Sequence, residues 1–119
     1  MENRDIALLI AQTLYDKKSE DIEIIDISEK SGFADYFVIA TARSLRQLKS
    51  LADELEDKLA EQGILVHHVE GLNDSGWVLM DYGDVVVNLF TKEQRVHYSI
   101  ERVWNDCIRV DFVPAEKEE

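Results

Sequence analysis

The sequence predicts a single α/β domain, a mixed β-sheet with helices packed on it, and three observations carry that expectation. The run Tyr36-Phe37-Val38-Ile39-Ala40 is continuously apolar, as a central strand covered on both faces must be. Residues 45–62 place Leu45, Leu48, Leu51, Ala52, Leu55 and Leu59 on one stripe of a helix. Residues 77–81 and 85–90 are two short apolar runs on either side of Tyr82-Gly83, the pattern of a β-hairpin. Strand and helix patterns that interleave in this way give a layered α/β architecture.

Each element has its own justification. Ile6, Leu9, Ile10 and Leu14 stand at helical spacing and predict a short amphipathic helix over 5–15, ended by the polar stretch 17–21. Residues 22–27 are rich in β-branched side chains and partly alternating, so they read as a strand, with Ser31-Gly32 as a turn before the buried run 36–40. Ser44, with Gln47 three residues on, has the form of a capping box, and Gly63 supplies the stop for the helix over 45–62. A strand over 64–69 follows, then a loop, then the hairpin, where Gly83 can take the positive φ that such a turn needs. Residues 94–104 predict a last helix with Val96, Ile100, Val103 and Trp104 toward the core. Residues 107–113 suit a short strand, and 114–119 an acidic, frayed end. One domain over 1–113 with a tail over 114–119 is the expected organisation.

Composition limits what such a domain can do. At 119 residues, 45% apolar and 32% charged, the chain has the make-up of an ordinary globular protein. A chain of this size buries roughly two-thirds of the surface that its unfolded form exposes. No apolar run approaches the roughly 18 residues of a membrane span, and Met1-Glu2-Asn3-Arg4-Asp5 lacks the basic and apolar regions of a signal peptide. The expected location is therefore the cytoplasm. The lone Cys107 agrees with a reducing compartment and reads as a small residue in or near the core. A formal net charge of −12 disfavours phosphate backbones as a partner. Arg43, Arg46 and Lys49 are the nearest approach to a basic patch, but Asp53, Glu54, Glu56 and Asp57 follow them closely, as on a solvated helix face.

The chemistry-bearing residues point away from catalysis. His67 and His68 are adjacent in a predicted strand, so their side chains diverge and cannot easily grip one metal. Asp81 and Asp84 flank a tight turn and are candidate Mg²⁺ ligands, yet the chain has no GxxxxGK[ST] loop. Ser44 is first of all a helix cap. The segment 63–90 is the informative one: it contains Glu70, Asp74, Asp81 and Asp84 but no Lys or Arg, although 13 basic residues occur elsewhere. Within it Trp77 fits either a core position or an exposed anchor. An acidic strip with aromatic residues suits docking to a basic partner.

The strings Asp35-Tyr36-Phe37-Val38-Ile39-Ala40-Thr41, Ser44-Leu45-Arg46-Gln47, Glu70-Gly71 and Trp77-Val78-Leu79-Met80-Asp81-Tyr82-Gly83-Asp84-Val85-Val86-Val87, with Arg95, Tyr98, Glu101 and Trp104, resemble the ribosomal silencing factor, or Iojap-like, family. The resemblance covers about residues 6–106. It implies an α/β domain related to the nucleotidyltransferase fold, without catalysis or cofactor. It also implies binding to ribosomal protein L14 of the large subunit, which blocks joining of the small subunit and lowers translation when nutrients are short. Ala42 stands where the family usually has Gly, and Asn88 where it usually has His. The expected partner-binding set is Glu70, Trp77, Leu79, Asp81, Tyr82, Gly83, Asp84 and Asn88. Two rival readings are a metal-dependent nucleotidyltransferase using Asp81, Asp84 and Asp35, and a nucleic-acid module using Arg43, Arg46 and Lys49. A homodimer is compatible with the same sequence.

Overall fold

The computed structural model describes residues 1–71 and 75–116. In chain order the elements are α1 (Asn3–Asp16), β1 (Glu20–Asp26), β2 (Tyr36–Ala42), α2 (Leu45–Glu61), β3 (His68–Glu70), β4 (Trp77–Asp81), β5 (Val85–Thr91), α3 (Lys92–Tyr98), a 3₁₀ turn (Ile100–Arg102) and β6 (Ile108–Val110). The strands form one sheet in the order β3-β4-β5-β2-β1-β6. Only the central pair, β2 and β5, is parallel; the pairings β1 with β2, β1 with β6, β3 with β4 and β4 with β5 are antiparallel. A parallel pair needs a crossover connection, and α2 followed by the β3–β4 hairpin supplies it.

Alternation along each strand sorts side chains onto two faces. Ile24, Val38, Ala40, Val78, Met80, Val87 and Leu89 form one core with Ala7, Ile10, Ala11 and Leu14 of α1 and Leu48, Leu51, Ala52, Leu55 and Leu59 of α2. The opposite face collects Ile25, Phe37, Ile39, Val86 and Phe90, with Trp77, Leu79, Ile100 and Trp104 packed against them. The continuous apolar run of β2 is thus explained, because its residues alternate into two cores. The α2 cap closes only in part: the Ser44 Oγ accepts from Gln47 N at 3.1 Å, but the Gln47 side chain accepts from Arg43 N at 2.6 Å rather than from the cap residue. Leu45, placed on the stripe by its spacing, is exposed at the first turn.

Three expectations change. The strand predicted over 64–69 contracts to His68–Glu70. Its partner β4 ends at Asp81, whose carbonyl already accepts from His67 N at 2.8 Å, so residues 64–66 meet no ladder and Ile64 and Val66 pack against the main core instead. The predicted helix 94–104 breaks at Ser99, which is left-handed (φ 46°) and whose Oγ donates to the Val96 carbonyl at 2.6 Å. A serine that bonds the preceding turn competes with the helix ladder. The break turns Val96 and Val103 to solvent, at 73% and 67% exposure, while Ile100 and Trp104 reach the second core. Finally, the end of the chain is held rather than frayed as far as it is described: Gln12 Nε2 donates to the Ala115 carbonyl at 2.9 Å, and Ala115 N donates to Gln12 Oε1 at 2.8 Å.

Candidate docking surface

The hairpin positions the site. Its register pairs Trp77 with Phe90, Leu79 with Asn88 and Asp81 with Val86. Directly opposed residues share a face, so Trp77, Leu79 and Asp81 lie with Phe90, Asn88 and Val86 on the side away from α1 and α2. The pairing of β3 extends this row outward, with Glu70 opposite Leu79 and His68 opposite Asp81. The turn itself is closed by Tyr82 N on the Val85 carbonyl at 2.9 Å and by Gly83 N on Asp81 Oδ1 at 2.7 Å, with Gly83 at φ 91°. A side chain at Gly83 would be strained at that φ and would meet the His67 ring at 3.1 Å.

Trp77 is neither fully in the core nor fully exposed. It is half-buried, stacked on Phe90 with ring centroids 5.3 Å apart, and met by Tyr98 of α3 at 4.6 Å, which also lies 6.1 Å from Phe90. Its Nε1–H donates to Asn88 Oδ1 at 3.0 Å. Tyr98 stays exposed at the rim. Its part in this cluster was not predicted; the only signal was its presence among the residues that resemble the Iojap-like pattern. At a rise of about 3.3 Å per residue, Asp81 lies about 13 Å along β4 from Trp77. Leu79 sits half-buried between them, so the stripe runs from aromatic through aliphatic to acidic.

α3 carries Tyr98 to its place and is clamped there by Arg95. The Arg95 side chain is only 11% exposed, and its guanidinium donates to Glu23 Oε2 at 2.7 Å, Glu101 Oε2 at 3.0 Å, Thr41 Oγ1 at 2.9 Å and the Asp21 carbonyl. Arg95 and Glu101 are six residues apart and would point to different sides of an unbroken helix, so the break at Ser99 is what lets them meet. Trp104 packs edge-on to Phe37 at 5.5 Å on the same face.

The expected site residues separate into two groups. Glu70 and Asp84 are exposed, and Trp77, Leu79, Asp81 and Gly83 are partly exposed. Glu70 pairs with His68 at 3.2 Å, and Asp84 Oδ2 accepts from Asn3 Nδ2 at 3.2 Å, an amide that also reaches Asp35 at 3.1 Å. Tyr82 and Asn88, by contrast, are buried. Tyr82 belongs to the helix-covered core, where burial pushes its hydroxyl up to about 12 from an ordinary 10.0. Asn88 lies beneath Trp77. Asp74, the remaining acid of the strip, falls outside the described residues.

Fold and face together define a small α/β protein with one side of its sheet sealed by helices and the other bearing an aromatic and acidic stripe. Comparison with known proteins makes the class particular. The family described as "Ribosomal silencing factor during starvation" matches residues 1–119, and the chain belongs to that family. It is 39% identical over 112 residues to ribosomal silencing factor RsfS of Bacillus subtilis, which covers 94% of this chain and 95% of the relative. A chloroplastic Iojap protein of Arabidopsis thaliana is 28% identical over 111 residues, which are 93% of this chain but 46% of the plant protein. Among solved structures, a Chromobacterium violaceum protein superposes with a TM-score of 0.85 at 35% identity, covering 97% of this chain and 95% of its own. Membership makes this chain a ribosome-directed regulator of translation. Among the described residues no helix is long and apolar enough to cross a membrane.

Proposed function

We propose that this protein represses translation by docking the open face of its sheet on ribosomal protein L14 of the large subunit, so that its body blocks joining of the small subunit. The observation that carries this reading is the β4 stripe, in which Trp77, Leu79 and Asp81 point away from α1 and α2 while Phe90 and Tyr98 hold the indole. Aromatic side chains held in place bury large areas at little entropic cost, which is why they dominate interface energetics. Glu70, Asp81 and Asp84 surround the stripe with negative charge, and ribosomal proteins are basic. Complementary charge speeds encounter, and buried aromatic area slows release. A specific interface buries roughly 1,200–2,000 Å² in total, within reach of a domain whose principal extents are 36 × 33 × 27 Å.

Steric exclusion needs neither a chemical step nor a cofactor, and it would operate in the cytoplasm, where ribosomal subunits join. The carboxylates invoked by the nucleotidyltransferase reading are engaged locally, Asp81 with its own turn and Asp84 with Asn3, which favours docking. Sedimentation of the purified protein with separated subunits tests the proposal: co-migration with the large subunit alone is expected. Equal binding to both subunits, or to neither, would refute it. Light scattering then follows subunit joining, which should fall when the protein is added to the large subunit first.

A further inference from the structure

Asn88 lies on the central strand β5 between Leu79 of β4 and Ile39 of β2, and it is 1% exposed. Its amide oxygen accepts the Trp77 indole N–H at 3.0 Å, while its Nδ2 is buried without a partner. The orientation of the amide is forced, because an indole nitrogen only donates and so must face an oxygen. A buried amide that meets half of its hydrogen-bonding capacity costs stability, and an aliphatic side chain of similar volume would avoid that cost. Fold stability therefore does not account for an amide here. What the amide does provide is a fixed orientation for one side chain, since stacking on Phe90 and contact with Tyr98 constrain the ring plane but not the direction in which the N–H points.

We infer that Asn88 is a positioning residue for docking: it holds the Trp77 indole in the orientation that a partner meets and does not touch the partner itself. This rests on the reading of the Trp77 face as the docking surface. A side chain preset in its bound geometry loses less freedom on association, so the effect belongs in affinity rather than in folding.

Two variants test it, with large-subunit affinity and the protein's own indole signals as readouts. In Asn88→Leu, the Trp77 indole N–H resonance, identified by its loss in Trp77→Phe, should shift and exchange faster with solvent. Denaturant stability should hold or rise, and large-subunit affinity should drop about tenfold, the scale of one interface residue worth more than 1 kcal/mol. In Asn88→His, whose imidazole offers an acceptor to the same N–H, both the protected resonance and most of the affinity should return. Unchanged affinity in Asn88→Leu, or restored affinity in Asn88→His with a freely exchanging indole, would overturn the inference. If Asn88→Leu fails to fold, the histidine variant decides by the same two readouts. The docking reading fails separately, through wild-type protein or Trp77→Ala: if Trp77→Ala abolishes binding and Asn88→Leu does not, only the role of Asn88 is lost.

Discussion

On the helix-covered face of the sheet, Leu48, Leu51, Leu55 and Leu59 interlock with Val38, Ala40, Val78, Met80, Val87 and Leu89, whereas on the opposite face Trp77, Phe90, Tyr98, Phe37 and Trp104 meet ring to ring. The aliphatic side is closed. Branched chains fill such a space at high density, and the loss of a few methylenes is felt directly in stability. The aromatic side is partly open, and its cover is a short helix pinned by one arginine rather than a long amphipathic one. Large rings there make enough contacts with one another to stay ordered while leaving an edge for a second molecule. Under the proposed function, folding rests mainly on the closed face and docking on the open one.

Truncation on the closed face is the strongest way to break that assignment. Leu55→Ala removes a fully buried side chain and should lower unfolding free energy by about 3 kcal/mol in denaturant titration, without altering the affinity of the molecules that remain folded. A loss below about 1 kcal/mol would mean that the helical side carries less of the fold than its packing indicates. Trp77→Ala is the counterpart on the open face and should weaken large-subunit binding by about 2 kcal/mol while the domain still folds. Unfolding of that variant would return Trp77 to the core, and unaltered binding would move the interface elsewhere.

Charge should act more weakly. Asp84 is exposed at the hairpin end, so Asp84→Lys should slow association with the large subunit about fivefold at low salt and leave dissociation nearly unchanged. Raising ionic strength should shrink the gap, since screening acts over roughly 8 Å at physiological salt. Inhibition of subunit joining by Asp84→Lys as strong as by wild type would place the docking surface away from this hairpin. The smallest effect is expected at Tyr82, whose hydroxyl is buried without a partner on the closed side. Tyr82→Phe should change stability by less than about 1 kcal/mol near neutral pH. Because the folded hydroxyl holds its proton to about 12 against 10.0 in the unfolded chain, its contribution is full below pH 10.0 and is lost as pH rises through about 12. Wild type should therefore lose more stability than the variant between about pH 9 and about pH 11, and equal losses would show that Tyr82 is not the group responsible.

Much of the fold was legible because it rests on short-range patterns. The Ser44 cap, the leucine stripe of α2 and the Gly63 stop are all read within one helix, and α2 forms over Leu45–Glu61, one residue short of the prediction. The hairpin over Trp77–Asp81 and Val85–Thr91 was equally plain, since two short apolar runs on either side of a glycine turn are local signals. The last helix was not, because Val96, Ile100, Val103 and Trp104 satisfy helical spacing whether or not Ser99 breaks the ladder. In the candidate site, the acidic and aromatic character of 77–84 was evident, but the direction of each side chain was not. Tyr82 and Asn88 were expected to face a partner and are buried instead.

The sequence by itself determined the class of the domain, its long helices and central strands, the acidity of one segment and, through the motif around Trp77, its family. Tertiary structure alone decided which of those residues meet. Tyr98 reaches Trp77 only because α3 returns across β5, and α3 stays there because Arg95 bonds to Glu23 on β1, 72 residues earlier in the chain, and to Glu101 beyond the break. Burial and hydrogen bonding between residues so far apart depend on how layers stack and where strands pair. Local propensity and periodicity carry no record of either.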